Sequence, residues 1–107
     1  HRRASEHLMQ HYYKTRQVVS QFNTILLQTL RDHIFHDAPP QQQLNERFRT
    51  VGTLLEIRDE ALFSQTPEAI FELFLLLQKR KSLTGFSTKT LRALWRAPQY
   101  IDAEFRR

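Results

Sequence analysis

The chain has 107 residues, of which 40% are hydrophobic and 25% charged, the size and composition of one globular domain with one core. Cysteine is absent, which excludes a disulfide framework, a thiolate metal site and a cysteine nucleophile. Sixteen basic and eleven acidic side chains give a net charge of +5. With only two glycines, Gly52 and Gly85, neither a Walker phosphate loop nor a dinucleotide fingerprint is present.

From Ser5 to Phe35 the apolar residues recur at helical spacing. Leu8, Tyr12, Val19, Phe22, Leu26 and Leu30 lie on one stripe, and Met9, Tyr13, Leu27 and Ile34 widen it. Ser5 reads as the N-cap. A helix of roughly 30 residues is about 45 Å long. That exceeds an ordinary globular helix and predicts packing on something outside this segment. The run Asp37-Ala38-Pro39-Pro40-Gln41-Gln42-Gln43 reads as the loop that ends it.

Between residues 47 and 59, Phe48, Val51, Leu54, Leu55 and Ile57 sit among Arg47, Arg49, Thr50, Thr53, Glu56 and Arg58, with Gly52 in the middle. This predicts a small β-hairpin with its turn at Gly52, lying against the helices. Next, Thr66 caps a helix, Pro67 takes its first position and Glu68 complements the dipole. That helix, Ala69 to Leu77, is apolar nearly all round and so is expected to be enclosed by protein. Lys79, Arg80 and Lys81 stand against its C-terminal dipole. A loop from Ser82 to Phe86 carries Gly85. Ser87 caps a further helix through Leu91, Leu94 and Trp95, and Pro98 kinks it or starts another. Tyr100, Ile101 and Phe105 give a last apolar edge, and no stop signal follows Arg107, so the natural protein is expected to continue. The fold expected is mainly α: a helical bundle in a single domain, 1–107, with one long N-terminal helix and a small β-hairpin. The longest apolar run, Leu73 to Leu77, is too short to span a bilayer. No signal peptide is evident, and a cytoplasmic location is expected.

The charge is uneven. Residues 1–36 carry five basic and two acidic groups, residues 37–66 three and five, and residues 67–107 eight and four. A basic face attracts phosphate or an acidic partner, but these cations are scattered and lack a docking element. A solvated surface is therefore favoured over a nucleic-acid site.

The candidate chemical groups are each outweighed by an ordinary structural reading. His7 and His11 are four apart on one helix, a metal spacing, but Leu8 stands where the zinc-protease motif has Glu. His33, His36 and Asp37 gather at a helix C-terminus, where a protonated imidazole suits the dipole. Glu56, Asp59 and Glu60 are acids that suit Mg²⁺ or acid–base work. Glu56 and Arg58 read instead as a surface pair on a strand, and Asp59 as the cap of the turn into Ala61-Leu62-Phe63. Ser20 and Ser64 lack a His and acid pattern. Tyr12-Tyr13-Lys14-Thr15-Arg16 mixes aromatics with cations as base-stacking surfaces do, yet both tyrosines adjoin the apolar stripe. Asn23, among Phe22 and Ile25 to Leu27, reads as a buried amide that needs hydrogen-bond partners and fixes register. No residue is assigned a catalytic, cofactor-binding or metal role.

Four stretches carry a resemblance. They are Tyr12-Tyr13-Lys14-Thr15 with Asn23-Thr24-Ile25-Leu26-Leu27-Gln28; Asn45-x-Arg47-Phe48 with Ile57-x-Asp59-x-x-Leu62-Phe63; Pro67-x-Ala69-Ile70-x-Glu72 through Gln78; and Gly85 with Thr90-Leu91-Arg92 and Ile101-Asp102-x-x-Phe105-Arg106. In this order they resemble the helical domain of the bacterial bifunctional uridylyltransferase/uridylyl-removing enzymes, which act on nitrogen regulatory protein PII. A related helical domain occurs in glutamine-synthetase adenylyltransferase, which stays as an alternative parent. Thr88 departs from the family pattern, where a small apolar residue is expected. The resemblance implies a parent with a nucleotidyltransferase domain that holds Mg²⁺ and UTP through Gly-Ser and Asp-x-Asp motifs. A metal-dependent HD hydrolase domain and two glutamine-sensing domains follow there. Neither Gly-Ser nor Asp-x-Asp occurs in these 107 residues, and the His-Asp pair His36-Asp37 stands alone beside a Pro-Pro turn without the metal spacing, so no family catalytic residue maps onto this chain. No Mg²⁺ or UTP is expected in the segment itself. The expected role is non-catalytic: packing and spacing between transferase and hydrolase, with neighbouring domains and PII as partners of the parent and no membrane contact. A free-standing basic binding module for nucleic acid or an acidic protein is the alternative.

Overall fold

The computed structural model describes residues 2–35, 39–81 and 83–96. Helix α1 spans Arg2–Phe35, α2 Gln41–Leu54, α3 Pro67–Lys81 and α4 Thr88–Arg96, and a 3₁₀ turn covers Glu60–Ser64. Helix α1 packs on α2, α2 on α3, and α3 on α4, and α4 closes back on α1; the 3₁₀ turn leans on α2. The mainly α expectation holds. The predicted residues Tyr100, Ile101 and Phe105 lie outside the described residues, as do His36, Asp37 and Pro98.

The small β-hairpin does not form. Helix α2 runs straight through Gly52, and no strand occurs among the described residues. The deciding signal is the spacing of Leu44, Phe48 and Val51, which are buried together at helical intervals of four and three. Gly52 is small because something sits against it: a Cβ there would lie 3.1 Å from Cζ of Phe63. The glycine costs the helix about 1 kcal/mol against alanine but admits the Phe63 ring.

The chain turns one residue beyond the helix. Ile57 N–H donates to the Gly52 carbonyl at 2.7 Å and Glu56 N–H to that of Thr53 at 3.2 Å. This pattern is a Schellman ending, with Glu56 in its left-handed position at φ 61°. Glu56 and Arg58 therefore do not share a strand face.

Three helix or turn starts follow their local chemistry. The Thr66 hydroxyl accepts from Ala69 N–H at 3.3 Å, with Pro67 opening α3. The Ser87 hydroxyl accepts from Thr90 N–H at 3.1 Å. The Asp59 carboxylate accepts from Ala61 N–H at 3.0 Å. Ser5 is no cap, because α1 begins at Arg2. The expected loop is shorter than 37–43: α2 starts at Gln41, directly after Pro40.

The core is contiguous and rich in phenylalanine. Phe74 of α3 meets Phe22 of α1 edge-on at 5.8 Å and Phe48 of α2 at 5.6 Å, and Phe48 in turn meets Phe63 at 5.7 Å. All four rings are buried. Each contributes about 1.5–3 kcal/mol by leaving water, and edge-to-face pairing adds about 0.5–1.5 kcal/mol per pair. At the α4 end the Trp95 indole is sandwiched, stacking on Phe71 at 4.1 Å and on His33 at 3.8 Å.

Candidate functional site

Among the charged and polar groups that looked capable of chemistry, His33 joins two helices. His33 sits between α1 and α4, where its Nε2 bonds to the Trp95 carbonyl at 2.7 Å. A carbonyl only accepts, so the ring carries its proton on Nε2; buried Nδ1 has no partner among the described residues. His36 and Asp37, its expected companions, lie outside the described residues. Arg47 of α2 reaches Asp32 of α1 at 2.5 Å and the Thr29 hydroxyl at 3.0 Å. Thr29 passes its own proton to the Ile25 carbonyl. Thr29 is fully buried and the ion pair largely so, so the trio fixes how α2 crosses α1.

Gln78 plays the same part at the other end. Its Nε2 donates to the Phe86 carbonyl at 2.8 Å and to the Thr84 hydroxyl at 3.1 Å, and its Oε1 accepts from Thr88 at 2.9 Å. The amide is buried and anchors the loop between α3 and α4. Thr88, the departure from the expected apolar residue, satisfies this amide.

The acidic trio does not converge on a ligand. Asp59 caps the 3₁₀ turn, Glu60 lies 3.8 Å from Arg49, and Glu56 occupies the left-handed end of α2. No group of three or more metal-ligating residues that could hold an ion occurs among the described residues. His7, His11, Tyr12 and Tyr13 lie on α1, and their side chains lie outside the described residues. Lys14, Thr15 and Arg16 are exposed on the same helix, as are Ser20 there and Ser64 on the 3₁₀ turn. Asn23 is half-buried, and its Oδ1 has no partner among the described residues; the expectation of a bonded amide is not met there.

Of the cations, Arg47, Arg49 and Arg92 are paired with carboxylates. Arg92 grips Glu72 through two nitrogens, at 3.0 and 3.3 Å, across α3 and α4. Both residues are well exposed, so the pair is worth at most about 1 kcal/mol.

The fold also leaves apolar side chains uncovered. On α1, Leu8 is 67% and Met9 55% exposed, while among the described residues of the stripe Phe22 is the first that is buried. On α3, Leu76 is 47% exposed, although the helix was expected to be enclosed. Leu62, Ala69 and Leu73 continue from Leu76 as an open groove. A second groove, between α1 and the end of α2, is lined by Val18, Val19, Leu54, Leu55 and Leu83, with Lys14 and Glu56 at its rim. No described helix is long and apolar enough to cross a membrane.

The chain is similar to known proteins over nearly its whole length. Residues 48–107 match the family described as the uridylyltransferase GlnD third domain. Over 99% of its length the chain is 50% identical to the bifunctional uridylyltransferase/uridylyl-removing enzyme of Nitrosospira multiformis. It is 45% identical over 98% of its length to the enzyme of that name from Aromatoleum aromaticum, and 40% over 99% to that from Thiobacillus denitrificans. In each case the chain spans 12% of the relative's length. No solved structure matches the chain.

Proposed function

The chain belongs to the family of bifunctional uridylyltransferase/uridylyl-removing enzymes, and from that premise we propose that residues 1–107 are a single non-catalytic helical domain of such an enzyme. Its work is mechanical: it packs against the transferase core and spaces it from the hydrolase. The parent would transfer UMP from UTP, with Mg²⁺, to protein PII and remove it again, each step carried by residues outside this segment. Neighbouring domains of the same polypeptide are its direct partners. The absence of cysteine supports a cytoplasmic setting.

The observation that carries the reading is the first half of α1. A helix of 34 residues is about 51 Å long, and Leu8 and Met9 stay exposed on the part that precedes the core. An amphipathic helix gains stability by covering such a stripe. The test is calorimetry of the full-length polypeptide carrying Leu8→Asp and Met9→Asp. A packing role predicts that the segment's unfolding splits from its neighbour's transition and moves to lower temperature. An unchanged thermogram contradicts it.

A further inference from the structure

We infer that the outer face of α3 is a docking groove for an acidic-edged amphipathic helix from another part of the same polypeptide. This rests on the packing role proposed above and says which surface, beyond α1, carries it.

Ala69, Leu73 and Leu76 lie at intervals of four and three along α3, so they form one stripe, and Leu62 of the 3₁₀ turn extends it. Leu62 and Leu73 are partly buried against the core, whereas nothing within the described residues covers Leu76. This is the geometry that receives a helix through anchors spaced three and four apart.

The charges around the groove specify the occupant. Where the stripe runs out past Leu76, the surface is bordered by Lys79 and Lys89. Neither lysine has a salt bridge or hydrogen bond among the described residues. The one carboxylate there, Glu72, is already held by Arg92. The groove is thus lined mainly by apolar residues, with Gln65 and the Arg92-held Glu72 among them, and is positive at one end. Its complement is a helix with apolar residues three and four apart and carboxylates where it passes Lys79 and Lys89.

The polypeptide itself is the favoured source. The chain makes up 12% of the length of its relatives, so most of the covalently linked protein lies outside it. A tethered partner meets the groove at an effective concentration up to millimolar, which allows a modest interface to stay closed.

The experiment is thiol labelling of the full-length polypeptide, read by mass spectrometry at single introduced cysteines, because the segment has none of its own. Leu76→Cys reports the groove, and Glu68→Cys, exposed at the start of α3, reports open surface. The expected result is alkylation at least tenfold slower at Leu76→Cys than at Glu68→Cys, unchanged on dilution. Adding Lys79→Glu and Lys89→Glu should bring the two rates together. Equal rates in the parent background overturn the proposal. So does protection that vanishes on dilution, which would mean a second copy of the chain, or protection indifferent to both charge reversals. Fast labelling at position 76 with slow labelling at Leu8→Cys refutes the α3 groove while the packing role of α1 stands. Fast labelling at both sites removes both.

Discussion

Replacing Glu56 with glycine should stabilise the domain, although the change deletes a side chain. Glu56 holds φ 61° at the end of α2, a conformation that costs a residue with a Cβ about 1–2 kcal/mol. Its carboxylate also sits at the negative end of the helix dipole, unfavourable by about 0.3–1 kcal/mol. Against these gains, glycine adds freedom to the unfolded chain worth about 0.4–1 kcal/mol. The balance for Glu56→Gly is a gain of about 1 kcal/mol, or about 4 °C in Tm for a domain of this size. Glu56→Ala separates the two causes. It removes the charge and keeps the Cβ, so it should gain about 0.5 kcal/mol or less. Thermal unfolding followed by far-ultraviolet circular dichroism measures both. If Glu56→Gly is no more stable than Glu56→Ala, the left-handed ending is not where the structure places it.

Three further sets of substitutions probe the joints of the fold. Arg47→Ala, Asp32→Ala and the double variant should show a coupling of about 1–3 kcal/mol by urea denaturation, since the pair is largely withdrawn from water; additive losses would mean the ion pair is not formed. Thr88→Ala leaves the buried Oε1 of Gln78 without its donor and should cost about 1–3 kcal/mol, with amide exchange accelerated in the Thr84–Ser87 loop; unchanged exchange would contradict the anchoring role. Gly52→Val forces two methyl groups toward a ring that already sits 3.1 Å from the Cβ position, so a loss of about 1–3 kcal/mol is expected, while Phe63→Leu in the same chain should recover part of it.

Local chemistry was the most legible part of the sequence. Thr66-Pro67, Ser87 and Asp59 each act on a backbone N–H two or three residues away, so their caps could be read without knowing the fold. The long first helix was equally plain, because no proline or glycine interrupts its stripe. Gly52 misled: a glycine in the middle of a mixed apolar and polar stretch looks like a hairpin turn, and the reason for it, the Phe63 ring from eleven positions on, is tertiary. The true turn falls at Glu56, a residue type that gives no sign of a left-handed φ. The polar joints were hidden for the same reason. Arg47 finds Thr29 and Asp32 across 18 and 15 positions, and His33 finds the Trp95 carbonyl across 62. Gln78, flanked by Leu77 and Lys79, read only as part of a helix end, whereas it organises the loop that follows. As for the candidate site, the run Ala69 to Leu77 showed an excess of apolar side chains, but only the fold reveals that Leu76 is on the uncovered side.

The most direct test of the account is the structure of the full-length polypeptide by cryo-electron microscopy. The account predicts that Leu8 and Met9 of α1 and the Leu62–Leu76 face of α3 are buried against other parts of the same polypeptide, with no nucleotide or metal ligand contributed by residues 1–107. A structure in which both faces remain open to solvent, or in which this segment supplies a ligand to UTP or Mg²⁺, would contradict it.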